Sequence, residues 1–109
     1  MSEKLAEKSC VPCAGGVPPL AEGEQDRLAQ ELENDWKIVD RHHLERRFTF
    51  DDFAGPLDLV NRIGRLAEEE GHHPELTLTW GRLDVRIWTH KIDGLTESDF
   101  VLAAKIDQL

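Results

Sequence analysis

The chain has 109 residues, 39% hydrophobic and 32% charged, with 13 Lys and Arg against 22 Asp and Glu for a formal charge of -9. That is the size of one small domain around a single core. The acidic excess argues against a nucleic-acid partner or an anionic membrane surface, since both need clustered cations, and no apolar run approaches the ~20 residues that cross a bilayer. The opening "MSEKLAEKSC" has no apolar core of a secretory signal, so a cytoplasmic location is expected.

Residues 1–19 contain "CVPCAGGVPP", rich in breakers and without an apolar period, and are expected to form a mobile tail ahead of a folded domain over 20–109. Cys10 and Cys13 could be half a zinc site, a redox pair or two reduced thiols. No second CxxC or HxxxH completes a zinc site, and a redox pair belongs at a strand-to-helix junction, so reduced thiols in the tail are the reading adopted.

From Glu22 to Glu33 the charges thicken around Leu28 and Leu32, an i,i+4 pair that predicts a short amphipathic helix. "WKIVD" (36–40) and "LERRFTF" (44–50) read as strands paired across "DRHH", with Leu44, Phe48 and Phe50 inward and Arg46 breaking the pattern. Residues 53–70 carry the longest helical period. Its expected stripe is Phe53, Leu57, Val60 and Ala67, flanked by Leu59, Ile63 and Leu66, with Asp51 or Asp52 as cap. Gly71 is placed to end it, and Pro74 forbids its return. "ELTLTW" and "LDVRIWTH" then alternate about a "GR" turn, which predicts a hairpin with Trp80 in the core. The last helix starts at "LTESDF": Thr96 as N-cap, Asp99 as its reciprocal acid, Leu95 and Phe100 as a hydrophobic staple, and Leu102, Ile106 and Leu109 as the buried face.

The order α-β-β-α-β-β-α excludes a doubly wound parallel sheet. The economical arrangement is α+β: a single four-stranded antiparallel sheet with helices packed on one face. The other face is left for solvent, a ligand or another subunit.

The candidate chemistry lies in "EEEGHHPEL" (68–76). Two adjacent histidines, His72 and His73, stand where the long helix gives way to a loop. They could be no more than a polar helix end, because a helix C-terminus favours cationic side chains. His90 shifts that balance. Alternation places it on the polar face with Asp84, Arg86 and Trp88, and antiparallel pairing carries residues 74–76 toward it, so three imidazoles can converge at one end of the sheet. Adjacent histidines seldom reach one metal ion, and neither HxH nor HxxxH spacing occurs, so acid–base work near neutrality suits them better than metal ligation.

Glu68, "HHP" at 72–74, Trp80, His90 and Asp99 together form a pattern over 32 positions that resembles the signature of the pterin-4a-carbinolamine dehydratases. "NDWKI", "FTFDDF", "THKIDGLTESDFVLAAKID" and "CVPCAGGVPPL" resemble bacterial members, so the likeness covers nearly the whole chain. It implies loss of water from the 4a position of a hydroxylated tetrahydropterin in tetrahydrobiopterin recycling. His72, His73 and His90 are implied as the catalytic set. Glu68, Trp36 and Asp99 are implied at the substrate: Glu68 orienting an imidazole or a pterin nitrogen, Trp36 as a stacking aromatic unless it is core, and Asp99 unless its capping box explains it. No metal or organic cofactor is implied, the pterin being substrate. The implied partners are that pterin, further copies of the chain in a homodimer or homotetramer, and a functional link to an aromatic amino acid hydroxylase. Where some relatives carry an acid before "HHP", this chain has Gly71. The competing reading is a protein-binding module of the dimerisation-cofactor kind, or an accessory protein in molybdopterin metabolism; a metal-binding protein using Cys10, Cys13 and histidines is the weakest.

Overall fold

The computed structural model describes residues 4–11, 18–33 and 35–109. Helix α1 (Glu22–Ala29) leads into strands β1 (Lys37–Val39) and β2 (His43–Thr49), helix α2 (Ala54–Glu70), strands β3 (Glu75–Thr79) and β4 (Arg82–Ile87), and helix α3 (Glu97–Ile106). The strands form one antiparallel sheet in the order β1-β2-β4-β3. This is the α+β architecture that the alternation predicts.

The pairing register explains the two faces. Leu44 lies opposite Ile87, Phe48 opposite Leu83, Leu76 opposite Val85 and Leu78 opposite Leu83, so these side chains share the helix-covered face. Leu44, Leu83, Val85 and Ile87 are fully buried there with Ile63 of α2 and Phe100 and Leu102 of α3. The opposite face pairs Glu45 with Arg86 and Arg47 with Asp84, charges that no helix covers. Arg46 does point inward, as its position in the alternation requires. It is tolerated because it stacks over Phe48 at 4.3 Å and meets Asp107 at 2.5 Å.

Four expectations are corrected. First, the buried line of α2 runs through Pro56, Ile63 and Ala67, while Phe53 and Leu57 are exposed; Phe53 stands just before the helix, where Asp52 Oδ1 accepts the Gly55 N–H at 2.9 Å as the cap. Second, Trp80 is 69% exposed. Thr79 pairs with Arg82, so the two-residue turn is Trp80–Gly81 rather than "GR", and Trp80 stands at the corner after the alternation has ended. Third, β4 stops at Ile87, and His90 opens a 3-10 turn (His90–Ile92) that Asp93 closes with φ of 51°. Fourth, Leu109 is exposed rather than part of the buried face.

The N-terminal segment also departs from the expected tail. Leu5–Glu7 form a 3-10 turn whose Leu5 is 3% exposed in the core, and Lys105 Nζ donates to Ala6 O at 3.0 Å. Cys10 N–H donates to Glu70 at 2.8 Å, and Ser98 exchanges hydrogen bonds with both backbone groups of Val11. Nor does Pro19 hang free: Leu20 N–H donates to Leu95 O at 2.9 Å, and Pro19 lies against the Cα of Gly94. An apolar residue need not recur periodically to be buried; one Leu in a single turn is enough if a groove accepts it. Cys13 lies outside the described residues.

Candidate active site

The two adjacent histidines are separated by how α2 ends. Gly71 takes the left-handed conformation (φ 65°, ψ 28°), its N–H still bonding to Ala67 O, and His72 N–H reaches the same carbonyl at 3.2 Å. A residue with a Cβ is strained at that φ, which accounts for glycine where an acid would otherwise fit. Pro74 blocks further helix, and β3 begins at Glu75. His72 and His73 therefore occupy a tight turn and point apart: His72 is half-buried beneath the helix layer and His73 is exposed.

His72 is held by a buried acid. Its Nε2 lies 2.5 Å from Asp99 Oδ1, and Asp99 is 0% exposed. The other carboxylate oxygen, Oδ2, accepts Thr89 Oγ1–H and Thr96 N–H, both at 2.8 Å. Thr96 and Asp99 also complete the predicted capping box of α3. An ionised carboxylate only accepts, so Thr89 spends its proton on Asp99 and must accept from Thr96 Oγ1, 2.9 Å away. The same logic places the proton of neutral His72 on Nε2 and leaves the lone pair on Nδ1. A buried carboxylate is tolerated because each oxygen is bonded, one to an imidazole that can carry charge.

His72, His73 and His90 line one open cleft of about 220 Å³ together with Gly71, Trp88, Thr89 and Lys91. The expected convergence of the three imidazoles is thus what the chain shows. Glu68 lies near His73 rather than His72, with its carboxylate 3.5 Å from His73 Nε2, and is 81% exposed. A larger hollow of about 410 Å³, between the N-terminal turn and the end of α3, collects Lys4, Glu31, Glu33 and Asp107 but no imidazole. Groups that exchange protons near neutrality are found in the histidine cleft.

Trp36 is not brought to that cleft. It is 9% exposed, and its Nε1–H donates to Asp107 at 2.8 Å. Asp107 follows the last turn of α3 and Asp99 stands in its first, so at 1.5 Å per residue the two ends lie about 12 Å apart. The core alternative for Trp36 is the one realised. Asp99, expected at the substrate, is fully buried and bonds His72 from outside the lining of the cleft.

Sequence reasoning missed Thr89, whose hydroxyl has no periodic signal, and the second histidine pair in "DRHH". His42 Nδ1 and His43 Nδ1 lie 2.9 Å apart, and His42 Nε2 is 2.6 Å from Asp93. The signal available was the adjacency of the β1–β2 turn to the end of β4, which only the strand order β1-β2-β4-β3 reveals. Among the described residues no group of three or more His, Cys, Asp or Glu is arranged to hold a metal ion, and no helix is long and apolar enough to cross a membrane.

Comparison with known proteins bears on this geometry. A protein of Rubrobacter xylanophilus named "Putative pterin-4-alpha-carbinolamine dehydratase" is 61% identical over 109 residues, covering all of both chains. One of the same name from Rickettsia bellii is 56% identical, over 96% of this chain and 93% of its own. The crystal structure of a transcriptional coactivator/pterin dehydratase from Brucella melitensis superposes with a TM-score of 0.76 at 33% identity, covering 83% of this chain and 96% of that one. The family model for pterin 4 alpha carbinolamine dehydratase matches residues 18–109. With the fold, the histidine cleft and these likenesses in agreement, the chain belongs to the pterin-4-alpha-carbinolamine dehydratase family.

Proposed function

We propose that this chain removes water from a 4a-hydroxytetrahydropterin by histidine acid–base catalysis, serving the recycling of tetrahydrobiopterin. The observation that carries the reading is the convergence of His72, His73 and His90 on one cleft, with His72 fixed by a buried Asp99.

The reaction needs one proton delivered and one removed. The C4a–O bond breaks as the hydroxyl takes a proton and leaves as water; the N5–H bond gives up its proton, and its electrons form the C4a=N5 bond of the quinonoid dihydropterin. Protons balance, and no electron carrier takes part. A protonated imidazole can donate to the hydroxyl and a neutral one can accept from N5, both near neutral pH. His72 Nδ1 is a fitting acceptor, because Asp99 holds Nε2–H and stabilises the imidazolium that forms. His73 and His90 are more exposed and suit delivery to the leaving hydroxyl, with the Glu68 carboxylate beside His73 favouring its protonated form and solvent restoring the proton.

The test is a stopped-flow assay in which the 4a-carbinolamine is generated in situ and its decay followed with and without this protein. A rate proportional to protein concentration, above the spontaneous decay, is expected; no acceleration refutes the proposal.

A second reading, association with another protein chain or with further copies of this one, draws on one surface. Trp80, Phe53 and Leu57 are all exposed, and the chain segments bearing them are joined where Gly81 N–H donates to Asp52 O at 3.0 Å. Exposed aromatic and aliphatic side chains grouped in this way mark association surfaces. Light scattering after size exclusion tests self-association; a monomer at all concentrations speaks against it.

A further inference from the structure

Trp88 is the aromatic residue of the histidine cleft, and its surroundings are unusual for a side chain at the end of a strand. The β2–β4 register continued by one position sets His43 opposite Trp88, and the β3–β4 register continued by two sets His73 opposite it on the other side. His90 lies 4.5 Å from the indole between ring centroids, His42 5.3 Å and His43 5.9 Å. Of the imidazoles around the indole, His73 and His90 line the cleft with it, whereas His42 and His43 contact it without lining the cleft.

The His42–His43 pair is anchored. Asp93, an acceptor, lies 2.6 Å from His42 Nε2 and fixes the proton there; His42 Nδ1 then accepts from His43 Nδ1–H at 2.9 Å. His43 Nε2 is left facing Glu45 at 3.5 Å. Neither of these imidazoles lines the cleft, so neither is needed for proton exchange with a ligand. What they contact is Trp88. A partly exposed indole in contact with two imidazoles outside the cleft lining, themselves pinned at one end by Asp93, is a preorganised flat apolar surface beside three acid–base groups.

We infer that Trp88 is the wall on which the planar pyrimidine half of the pterin rests, and that His42 is a positioning residue that holds the indole in place. The inference rests on the dehydratase reading and deepens it by naming what sets ring orientation. Stacking suits this role, because every fused heteroaromatic ring presents a π-face and an indole offers the largest apolar area of any side chain. It also leaves N5, on the ring periphery, and the opposite face at C4a, from which the hydroxyl projects, open to His72, His73 and His90. Preorganisation of the wall lowers the cost of ordering on binding.

The experiment uses the full chain and oxidised biopterin, which has the same fused ring system but no 4a-hydroxyl to lose. Equilibrium dialysis gives Kd for the wild type, Trp88→Leu, Trp88→Phe, His42→Ala and His42→Phe, and steady-state dehydration gives KM and kcat for each. Trp88→Leu keeps apolar bulk but has no π-face, and should raise Kd and KM ten-fold or more, with a smaller change in kcat. Trp88→Phe should fall between it and the wild type. His42→Ala should raise KM three-fold or more, and His42→Phe, which restores a ring against Trp88, should recover most of that loss. If Trp88→Leu unfolds, Trp88→Phe and His42→Ala decide the matter. A wild type that binds and dehydrates while every folded variant stays within two-fold of it overturns this inference alone. A wild type that neither binds biopterin nor accelerates dehydration overturns the dehydratase reading, and the role of Trp88 with it.

Discussion

His72 and Asp99 meet at 2.5 Å although they stand 27 positions apart in the chain, and Asp99 uses its two oxygens for two different purposes. Oδ1 orients the imidazole; Oδ2 secures the start of α3 through Thr96 N–H and gathers Thr89. The capping box that explains Asp99 as a folding residue is therefore also what aims it at His72. Fold and site share one carboxylate, and each role can be removed separately.

Asp99→Asn can keep its one oxygen on Thr96 N–H to cap α3, and then presents an amide N–H to His72, reversing the tautomer that Asp99 fixes. We predict that it folds with a cooperative melt and loses at least ten-fold in kcat, within the ~10²–10⁴-fold range of acid–base groups. Asp99→Ala should lose rate and also about 1–3 kcal/mol of stability, since Thr89 and His72 are left without their buried partner. Denaturant melts and stopped-flow rates on the same preparations check both. An Asn variant at full rate would show that His72 does not depend on Asp99.

His72→Ala, His73→Ala and His90→Ala should each fold, since none is in the core, and should lose rate unequally, with at least two falling ten-fold or more. His72 should matter most, being the imidazole with a fixed tautomer. Cooperating groups do not combine additively, so a double variant should lose far less than the product of the single losses. Retention of near-full rate by all three would make the histidines an ordinary helix end.

Trp36 offers the opposite separation. Its Nε1–H and Arg46 both bond Asp107, which ties the strand β1 entry to the end of α3. Trp36→Phe should cost about 1–3 kcal/mol by leaving a buried acceptor underused and a small void. Dehydration below its melting range should stay within two-fold of wild type. A large rise in KM would instead place Trp36 at the ligand.

The fold was legible because its signals are local and redundant. Strand alternation in "LERRFTF" and "LDVRI", the glycine and proline after Glu70, and the box from Thr96 to Asp99 each hold without knowledge of the rest. Convergence of His73 and His90 followed from pairing alone. The lost details are those that depend on where alternation stops. Trp80 falls in the turn and His90 in a 3-10 turn, and no residue type marks either boundary. The partner of Trp36 was hidden because a tryptophan beside a strand looks the same whether its N–H meets a ligand or Asp107. His42 and His43 were hidden because β2 and β4 are neighbours only through a crossover.

Leu5 is the clearest case of burial without periodicity. Beginning the chain at Pro19 removes its contact with α3, the Lys105–Ala6 bond and the Cys10–Glu70 bond together. Leu5→Ala alone should cost about 2 kcal/mol, the low end for a buried leucine because the short turn can shift to fill space. The shortened chain should melt at least about 8 °C lower, at roughly 4–8 °C per kcal/mol for a domain of this size. Calorimetry on both decides it. An unchanged melting temperature would mean that residues 4–11 rest on α3 without stabilising it.

Cys10 makes a prediction of opposite character, about inertness. Burial first, and the neighbouring Glu70 carboxylate second, push its thiol from 9.0 up to about 12. The folded chain thus holds the proton more tightly than the unfolded chain does. For a group raised in this way the stabilisation is complete below pH 9 and is lost as pH climbs from 9 toward 12. Wild type should therefore lose stability relative to Cys10→Ser across that alkaline window and match its pH dependence at neutrality. Between 9.0 and about 12 the thiolate population falls about a thousandfold, so native alkylation of Cys10 by iodoacetamide at pH 8 should be far slower than in denaturant. Fragment-ion mass spectrometry separates Cys10 from Cys13 within their shared tryptic peptide. Rapid native labelling at Cys10 would show that the thiol is neither buried nor held by Glu70, and would restore the expectation of a free tail.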